Sequence, residues 1–465
     1  MKIYAPNIHL FAFQLYKPAN LEEINADEQN KLWHGADAIV KTILHTDLNL
    51  SQNIDVSKNS DSPRVDLLKE SAVKDGNHSL PFENKISVDH QQDVMIKGFA
   101  YPVQLHDSYG LSLNLRRPEK EADGTPSVDL DISFLSNLNP HNCLTLSPNK
   151  LFLGQTLLIT AWLTGAKDKK YLYEIAESCL QAVFADAKQR PSFHRQGELF
   201  GSPIFEYGLF SELANYQHVL IWLFVDEQAD EKFGLIYSEL LDLFFFRTKV
   251  VKAYQDSRKT YYLLDEQYKN IERQLDKLSN QKIDNLNQKD LNELTEKLKY
   301  LAELAVKYTR LLRNLEDYQN TIAINSENYH DRLQQISSKT QQADLSFLET
   351  FYHKISALFQ KQINFDLGYF KHGTGLLEQV ISSIRGIVEI EQAKRDRSLE
   401  QTIQIIGVAL GGGVIVSGVV TQHIDKPFAP ISVKNPPHPM ILSLFWSFVA
   451  IAFLWWVARW WTNRK

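Results

Sequence analysis

The two most apolar stretches of this chain lie close together in its last seventy residues. Residues 403–420 contain no charged side chain, and a second apolar run covers residues 440–458. At a helical rise of about 1.5 Å per residue, each run comes close to spanning a hydrocarbon core of roughly 30 Å. A buried core helix is the alternative for either run. Because only residues 421–439 separate them, the pattern favours a membrane hairpin: transmembrane helices at 403–420 and 440–460, joined by an outer loop.

Basic residues flank the two apolar runs on the side away from the connecting loop. They are Lys394, Arg395 and Arg397 before the first run, and Arg459, Arg464 and Lys465 after the second. The loop at 421–439 carries only Lys426 and Lys434 against Asp425. The positive-inside rule therefore places both ends in the cytoplasm and predicts a multi-pass protein of the cell (inner) membrane.

The pattern in residues 1–226 alternates between strands and helices. Residues 3–16 are apolar on both faces, which predicts a central strand whose regular part begins near Ile8, after Pro6. Further strands are predicted at 94–105, 111–115, 128–135, 150–163, 202–207 and 218–225, and helices at 33–44 and 170–185. This order predicts an α+β cytoplasmic head with a largely antiparallel sheet. The polar segment 46–93 is predicted to be a long loop or insertion with little structure of its own.

Residues 227–345 show a heptad pattern. Leucine, isoleucine and tyrosine recur at spacings of four and three from Leu264 to Leu278, and the pattern restarts from Leu291 to Leu315. Charged residues occupy the outer positions, as in coiled coils. Two such helices joined by a polar turn near 279–288 predict a long antiparallel coiled-coil hairpin, and two independent surface helices are the alternative.

Residues 346–402 are predicted to form stalk helices. An amphipathic helix is expected at 344–363, and a second at 375–393 places Leu377, Val380, Ile384 and Val388 on one face. Between Glu378 and Gly407, Gly386 is the single weak helix former. We therefore expect the stalk helix to enter the first span without a break, so that a displacement in the head reaches the membrane.

Composition and motifs exclude several classes of function. A net charge of -6 argues against nucleic acid as the main partner. Cys143 and Cys179 are too few, and wrongly spaced, for a disulfide framework or a thiolate metal site. The N-terminus lacks the features of a signal peptide. No phosphate-binding loop, dinucleotide fingerprint, nucleophile elbow or zincin motif occurs, so we expect no enzymatic activity, no cofactor and no metal site. His9 and His34 are conceivable ligands, but ordinary core or surface histidines fit them better.

Small residues in the first predicted span suggest close helix packing or a hinge. They are Gly407, Gly411, Gly412, Gly413, Ser417 and Gly418. Small residues four apart let helix backbones approach within lipid, and consecutive glycines weaken a helix. These residues fit a pore-lining helix in a homo-oligomer or packing against the chain's own second span. In the loop, a ring of Asp425 side chains at a pore mouth would attract cations. Lys426 offsets that charge, and a solvated loop is the alternative.

The order of these elements resembles the CorA-type magnesium transporter superfamily. The shared features are a cytoplasmic head, a helical hairpin, a stalk helix and two C-terminal spans with both ends inside. The family carries a Gly-Met-Asn motif at the outer end of the first span, where this chain reads Ser417-Gly418-Val419-Val420-Thr421-Gln422. The resemblance rests on architecture, implies an oligomeric ion channel or transporter, and carries over no metal-binding residue.

Two functions follow from these patterns. The first is a divergent CorA-like, homo-oligomeric channel or ion transporter gated by its cytoplasmic head. The alternative is a membrane-anchored sensor or effector of a bacterial stress or defence system, without selective ion transport. In both, the expected partners are membrane lipid, further copies of the chain, and a ligand or protein at the head.

Overall fold

The computed structural model describes residues 1–16, 25–57, 62–88, 92–163, 168–279 and 288–392. The predicted spans, the loop between them and the site residues assigned to them lie outside the described residues. Within those ranges, the structure contains no helix that is both long and apolar enough to cross a membrane. Contacts divide the chain into two units. The first unit comprises Met1–Asp256 and Tyr318–Lys361, and the second comprises Ser257–Asp317 and the chain from Gln362 onward.

The first unit is built on a mixed sheet of ten strands. The strands are β1 (Lys2–Leu15), β2 (Arg64–Asp66), β3 (Leu80–Val88), β4 (Gln92–Leu105), β5 (Ser108–Arg116), β6 (Leu130–Asp131), β7 (Phe152–Trp162), β8 (Phe193–Leu199), β9 (Ser202–Tyr207) and β10 (His218–Phe224). The main order is β2-β4-β5-β1-β7-β10-β9-β8, with β3 also paired to β4 and β6 to β1.

The helices are unequal in length. They are α1 (Ala26–Leu44), α2 (Lys169–Val183), α3 (Glu227–Ser279), α4 (Gln288–Lys339), α5 (Ser346–Thr350) and α6 (Ala357–Gln392). A π-helical turn, Phe351–Ser356, joins α5 to α6. An α+β head with long helices is thus confirmed for the described residues. The sheet is mixed because the chain crosses over through α2 before β10, which therefore pairs parallel to β7.

Strand β1 lies at the centre of the sheet, as its two apolar faces predicted. It pairs antiparallel with β5 on one side and β7 on the other. Ile8, Leu10 and Ala12 belong to the core that includes α1 and α2. The alternate residues His9, Phe11 and Phe13 contact aromatic rings of α3 on the opposite face. The register with β7 shifts between Tyr4 and Asn7, around the proline of the strand.

The segment 46–93 differs from its predicted loop. Within the described residues it contains β2, β3 and the first residues of β4, and β3 and β4 form a hairpin. Phe82, Val94 and Ile96 are buried in the core, while the residues between them on the strands are mostly exposed. The polar composition therefore belongs to the solvent face of an edge hairpin.

Three other predicted element boundaries also differ from those in the structure. The turn after β4 is only His106-Asp107, because Leu105 already pairs with Ser108. The strand expected at 128–135 is short, because Asp131 accepts a hydrogen bond from the backbone N–H of Ser133 and caps a 3₁₀ helix. The two helices expected at 344–363 and 375–393 are replaced by one continuous helix, α6, from Ala357 to Gln392.

The second unit is a packing of three helical segments. Most of the heptad residues of α3 and α4 are buried, including Leu264, Tyr268, Leu298 and Tyr308, whereas Leu275 and Leu278 near the end of α3 are only partly buried. The apolar stripe of α6 is buried too, from Phe370 to Val388. The Tyr308 hydroxyl donates a hydrogen bond to the Phe370 carbonyl at 2.7 Å, and the Tyr268 and Phe370 rings are in contact. The predicted two-helix seam is therefore completed by α6 as a third helix.

Candidate functional site

A cavity of about 360 Å³ lies in the first unit, beside edge strand β2. Its walls come from β2, the turn between β4 and β5, the first half of α3, and α4. The lining residues are Pro63, Arg64, Leu105, His106, Ser238, Glu239, Asp242, Phe245, Phe246 and Arg332. The volume is at the lower end of the range for pockets that hold small molecules. These residues are far apart in the sequence, so the fold alone brings them together.

Asp242 forms the ionic centre of this cavity. Its carboxylate lies 2.7 Å from Arg64 Nη1 and 3.0 Å from Arg332 Nη2. The Asp242 side chain is only 7% exposed. Burial raises the pKa of this carboxyl above its ordinary value, and the two guanidinium groups oppose that rise. Asp242 therefore connects α3 to both β2 and α4 through ion pairs, and the one with Arg64 is also a hydrogen bond.

Arg332 has a hydrogen-bond donor to spare. Its Nη2 forms an ion pair with Asp242 at 3.0 Å, and its Nη1 donates a hydrogen bond to Gln335 Oε1. The third donor, Nε–H, is buried and has no partner among the described residues. A buried donor without an acceptor is costly, so Arg332 Nε is a local cost of this packing.

In contrast to the charged residues, the wall formed by α3 is aromatic and apolar. Phe245 and Phe246 are both buried, and their rings are in contact. The His106 ring stacks on Phe245 with ring centroids 6.2 Å apart. Burial and the nearby Lys249 lower the pKa of His106, which favours its neutral form. The cavity thus combines an end of paired charges with an aromatic and apolar wall.

The acids of the cavity already have cationic partners. Asp242 is paired with two arginines, and Glu239 Oε1 lies 2.6 Å from Lys339 Nζ. Asp107, in the turn next to His106, pairs with Lys249 at 2.6 Å. Glu239 Oε2 is nevertheless buried without a hydrogen-bond partner among the described residues, so the site contains an unpaired acceptor as well as an unpaired donor.

A second charged cluster is buried deeper in the first unit and surrounds Glu206. Arg195 Nε lies 2.6 Å from one carboxylate oxygen, and Arg247 Nη2 lies 2.8 Å from the other. His218 Nε2 is 3.3 Å from the second oxygen. Despite burial, these partners hold the pKa of Glu206 well below its ordinary value. The guanidinium groups also lie over aromatic rings, with Arg195 4.1 Å from the Phe347 centroid and Arg247 4.8 Å from that of Phe351.

The Glu206 cluster is structural in character. His218 Nδ1 lies 2.8 Å from Thr156 Oγ1, while Nε2 is close to Glu206 but makes no hydrogen bond among the described residues. Burial lowers the pKa of His218 to about 4. The cluster connects strands β8, β9 and β10 with α3, α5 and the π-helical turn. With its charges paired and its volume filled by rings, it holds these elements together.

The two histidines considered as ligands are placed differently. His9 is buried against α3, where its Nδ1 lies 3.1 Å from the Tyr237 hydroxyl and 3.0 Å from Asn114 Nδ2. Burial lowers its pKa to about 3. His34 is exposed on α1. Among the described residues, no group of three or more His, Cys, Asp or Glu side chains is arranged to hold a metal ion.

The other predicted site residues cannot be placed. Gly407, Gly411, Gly412, Gly413, Ser417, Gly418 and Asp425 lie outside the described residues. Arg64, Asp242 and Arg332 were missed because their signal is spatial. In the sequence each is one ordinary charged residue in a polar segment or on a helix face. The residue with which it forms an ion pair lies up to 178 positions away in the chain.

Comparison with known proteins gives no relative for this chain. No family model matches it, and neither a curated protein nor a solved structure does.

Proposed function

We propose that this chain is a homo-oligomeric membrane protein whose cytoplasmic α+β head controls two C-terminal membrane-spanning helices, at 403–420 and 440–460. The observation that carries the proposal is the position of α6. This helix of 36 residues ends at Gln392, and the sequence from there to Ile403 contains neither Pro nor Gly. A stiff helix next to an uncharged run of membrane-spanning length suits the transfer of a displacement into the bilayer.

Packing in the second unit supports this mechanical role. The buried stripe of α6 faces the heptad residues of α3 and α4, so α6 is held along most of its length. Arg258 on α3 forms an ion pair with Asp366 on α6, and Lys371 on α6 lies 3.3 Å from Glu316 on α4. A helix fixed by its neighbours moves with them as a body. The head can therefore act on the membrane segments without unfolding the stalk.

Two forms of this function are proposed. In the first, the glycine-rich span lines a pore, and the protein is a divergent CorA-like channel or transporter. In the second, the protein is a membrane-anchored sensor or effector of a bacterial stress or defence system. The lack of Gly-Met-Asn after residue 416 favours the second form, because that motif is the selectivity site of the CorA-type superfamily that this chain resembles. The small residues at 407, 411 and 413 favour the first.

Ion flux into liposomes distinguishes the two forms. Purified full-length protein would be reconstituted into vesicles that report Mg²⁺, K⁺ and Cl⁻ entry, with protein-free vesicles as the baseline. The channel form predicts flux that is lost on Gly411→Ile, because a bulky side chain separates the packed spans. The sensor form predicts protein that is inserted but silent for all three ions. Protein that does not float with the vesicles would contradict both forms.

Assembly is tested on the same preparation. Light scattering in detergent should report a homo-oligomer for the unaltered chain and a smaller species for Gly411→Ile. The matched control is Gly375→Ala, at a position where an added Cβ meets nothing within 4 Å. A monomeric unaltered chain would contradict the homo-oligomer.

A further inference from the structure

We draw no further inference here: the strongest candidate, the exposed apolar surface of α6 around Tyr369 and Ile390 in the second unit, is a helix face that carries no proposal because nothing in the described residues shows what covers it.

Discussion

His218 shows how single residues fix the chemistry of the first unit. Its neutral ring lies between Thr156 and Glu206, next to the guanidinium groups of Arg195 and Arg247. A proton on Nδ1 would remove the acceptor for Thr156 and add a positive charge beside two others. Burial and these charges therefore lower the pKa of His218 to about 4.

This lowered pKa predicts a loss of stability in mild acid. Between about pH 6.5 and pH 4 the unfolded chain binds a proton at His218 and the folded chain does not, so the free energy of unfolding falls as the pH falls. At about 1.4 kcal/mol per pH unit, His218 alone should cost about 2 to 3 kcal/mol between pH 7 and pH 4.5. Glu206 contributes little in this window, because its lowered pKa affects stability only below the ordinary carboxyl range.

Denaturant unfolding at pH 7 and pH 4.5 measures this effect. In His218→Gln, which keeps an N–H donor but cannot titrate, the pH-dependent loss should shrink by about 2 kcal/mol. The remaining loss includes His9, whose pKa is lowered to about 3. His34→Gln, at an exposed position of α1, is the matched control. An unchanged pH dependence in His218→Gln would show that His218 is protonated in the folded chain.

Little of this chemistry at the scale of single residues could be predicted from the sequence. His9 and His34 were singled out by residue type, yet the structure buries one and exposes the other. Glu206 and Arg247 are 41 positions apart, and in the sequence each fits a solvated position. Ion pairs of this kind depend on which strands and helices are in contact in the fold. No local sequence pattern predicts those contacts.

At the scale of helices, Gly373 and Gly375 make a matched pair. A Cβ at Gly373 would lie 2.3 Å from the Tyr308 hydroxyl and 3.0 Å from Tyr268 Cδ2, whereas a Cβ at Gly375 meets nothing within 4 Å. Tyr308 cannot easily yield, because it is fully buried and bonded to the Phe370 carbonyl. Gly373 is thus a point of close approach between α6 and the Tyr308 side chain of α4.

The two alanine substitutions should have opposite effects. Gly375→Ala should stabilise the chain by up to about 1 kcal/mol, because alanine is the better helix former. Gly373→Ala gains the same propensity but forces overpacking, so we expect a net loss of about 1 to 2 kcal/mol. Thermal unfolding followed by circular dichroism compares them. Equal stabilisation by both would show that α6 does not pack closely on Tyr308.

Elements with a strong local period were predicted well. Most heptad residues from Leu264 to Leu315 are buried, and β1 is covered on both faces as its apolar sequence predicted. The third helix of the bundle was missed, because a stripe on α6 does not reveal which helices it covers. The strands within 46–93 were missed because an edge hairpin with one solvated face resembles a polar loop in composition.

At the scale of the whole molecule, we propose that the glycines of the first predicted span absorb motion from the head. Three consecutive glycines at 411–413 weaken a helix by about 1 kcal/mol each relative to alanine. Changing Gly412 and Gly413 together to Ala should stiffen the span with little added bulk. Under the hinge hypothesis, flux or cell toxicity then stops responding to the head, while the oligomeric state is kept.

The packing hypothesis and the hinge hypothesis predict different outcomes for the variant in which both Gly412 and Gly413 are changed to Ala. If the glycines serve only close packing, the alanines should change assembly or stability, as measured by light scattering and thermal unfolding. The single change Gly386→Ala, on the stalk at a position where a Cβ meets nothing within 4 Å, is the control. A double variant with both its oligomeric state and its full response intact would refute the hinge.

The central claim, a head and both chain ends on the cytoplasmic side of a two-span hairpin, is tested most directly by cysteine labelling. The background carries Cys143→Ser and Cys179→Ala, which remove the two native thiols. Single cysteines are then introduced as Ser432→Cys in the predicted outer loop and Thr462→Cys after the second span. In intact cells, an impermeant thiol reagent should label the chain carrying Ser432→Cys, and it should label Thr462→Cys only after permeabilisation. Labelling in the reverse order, or equal labelling of both before permeabilisation, would contradict the account.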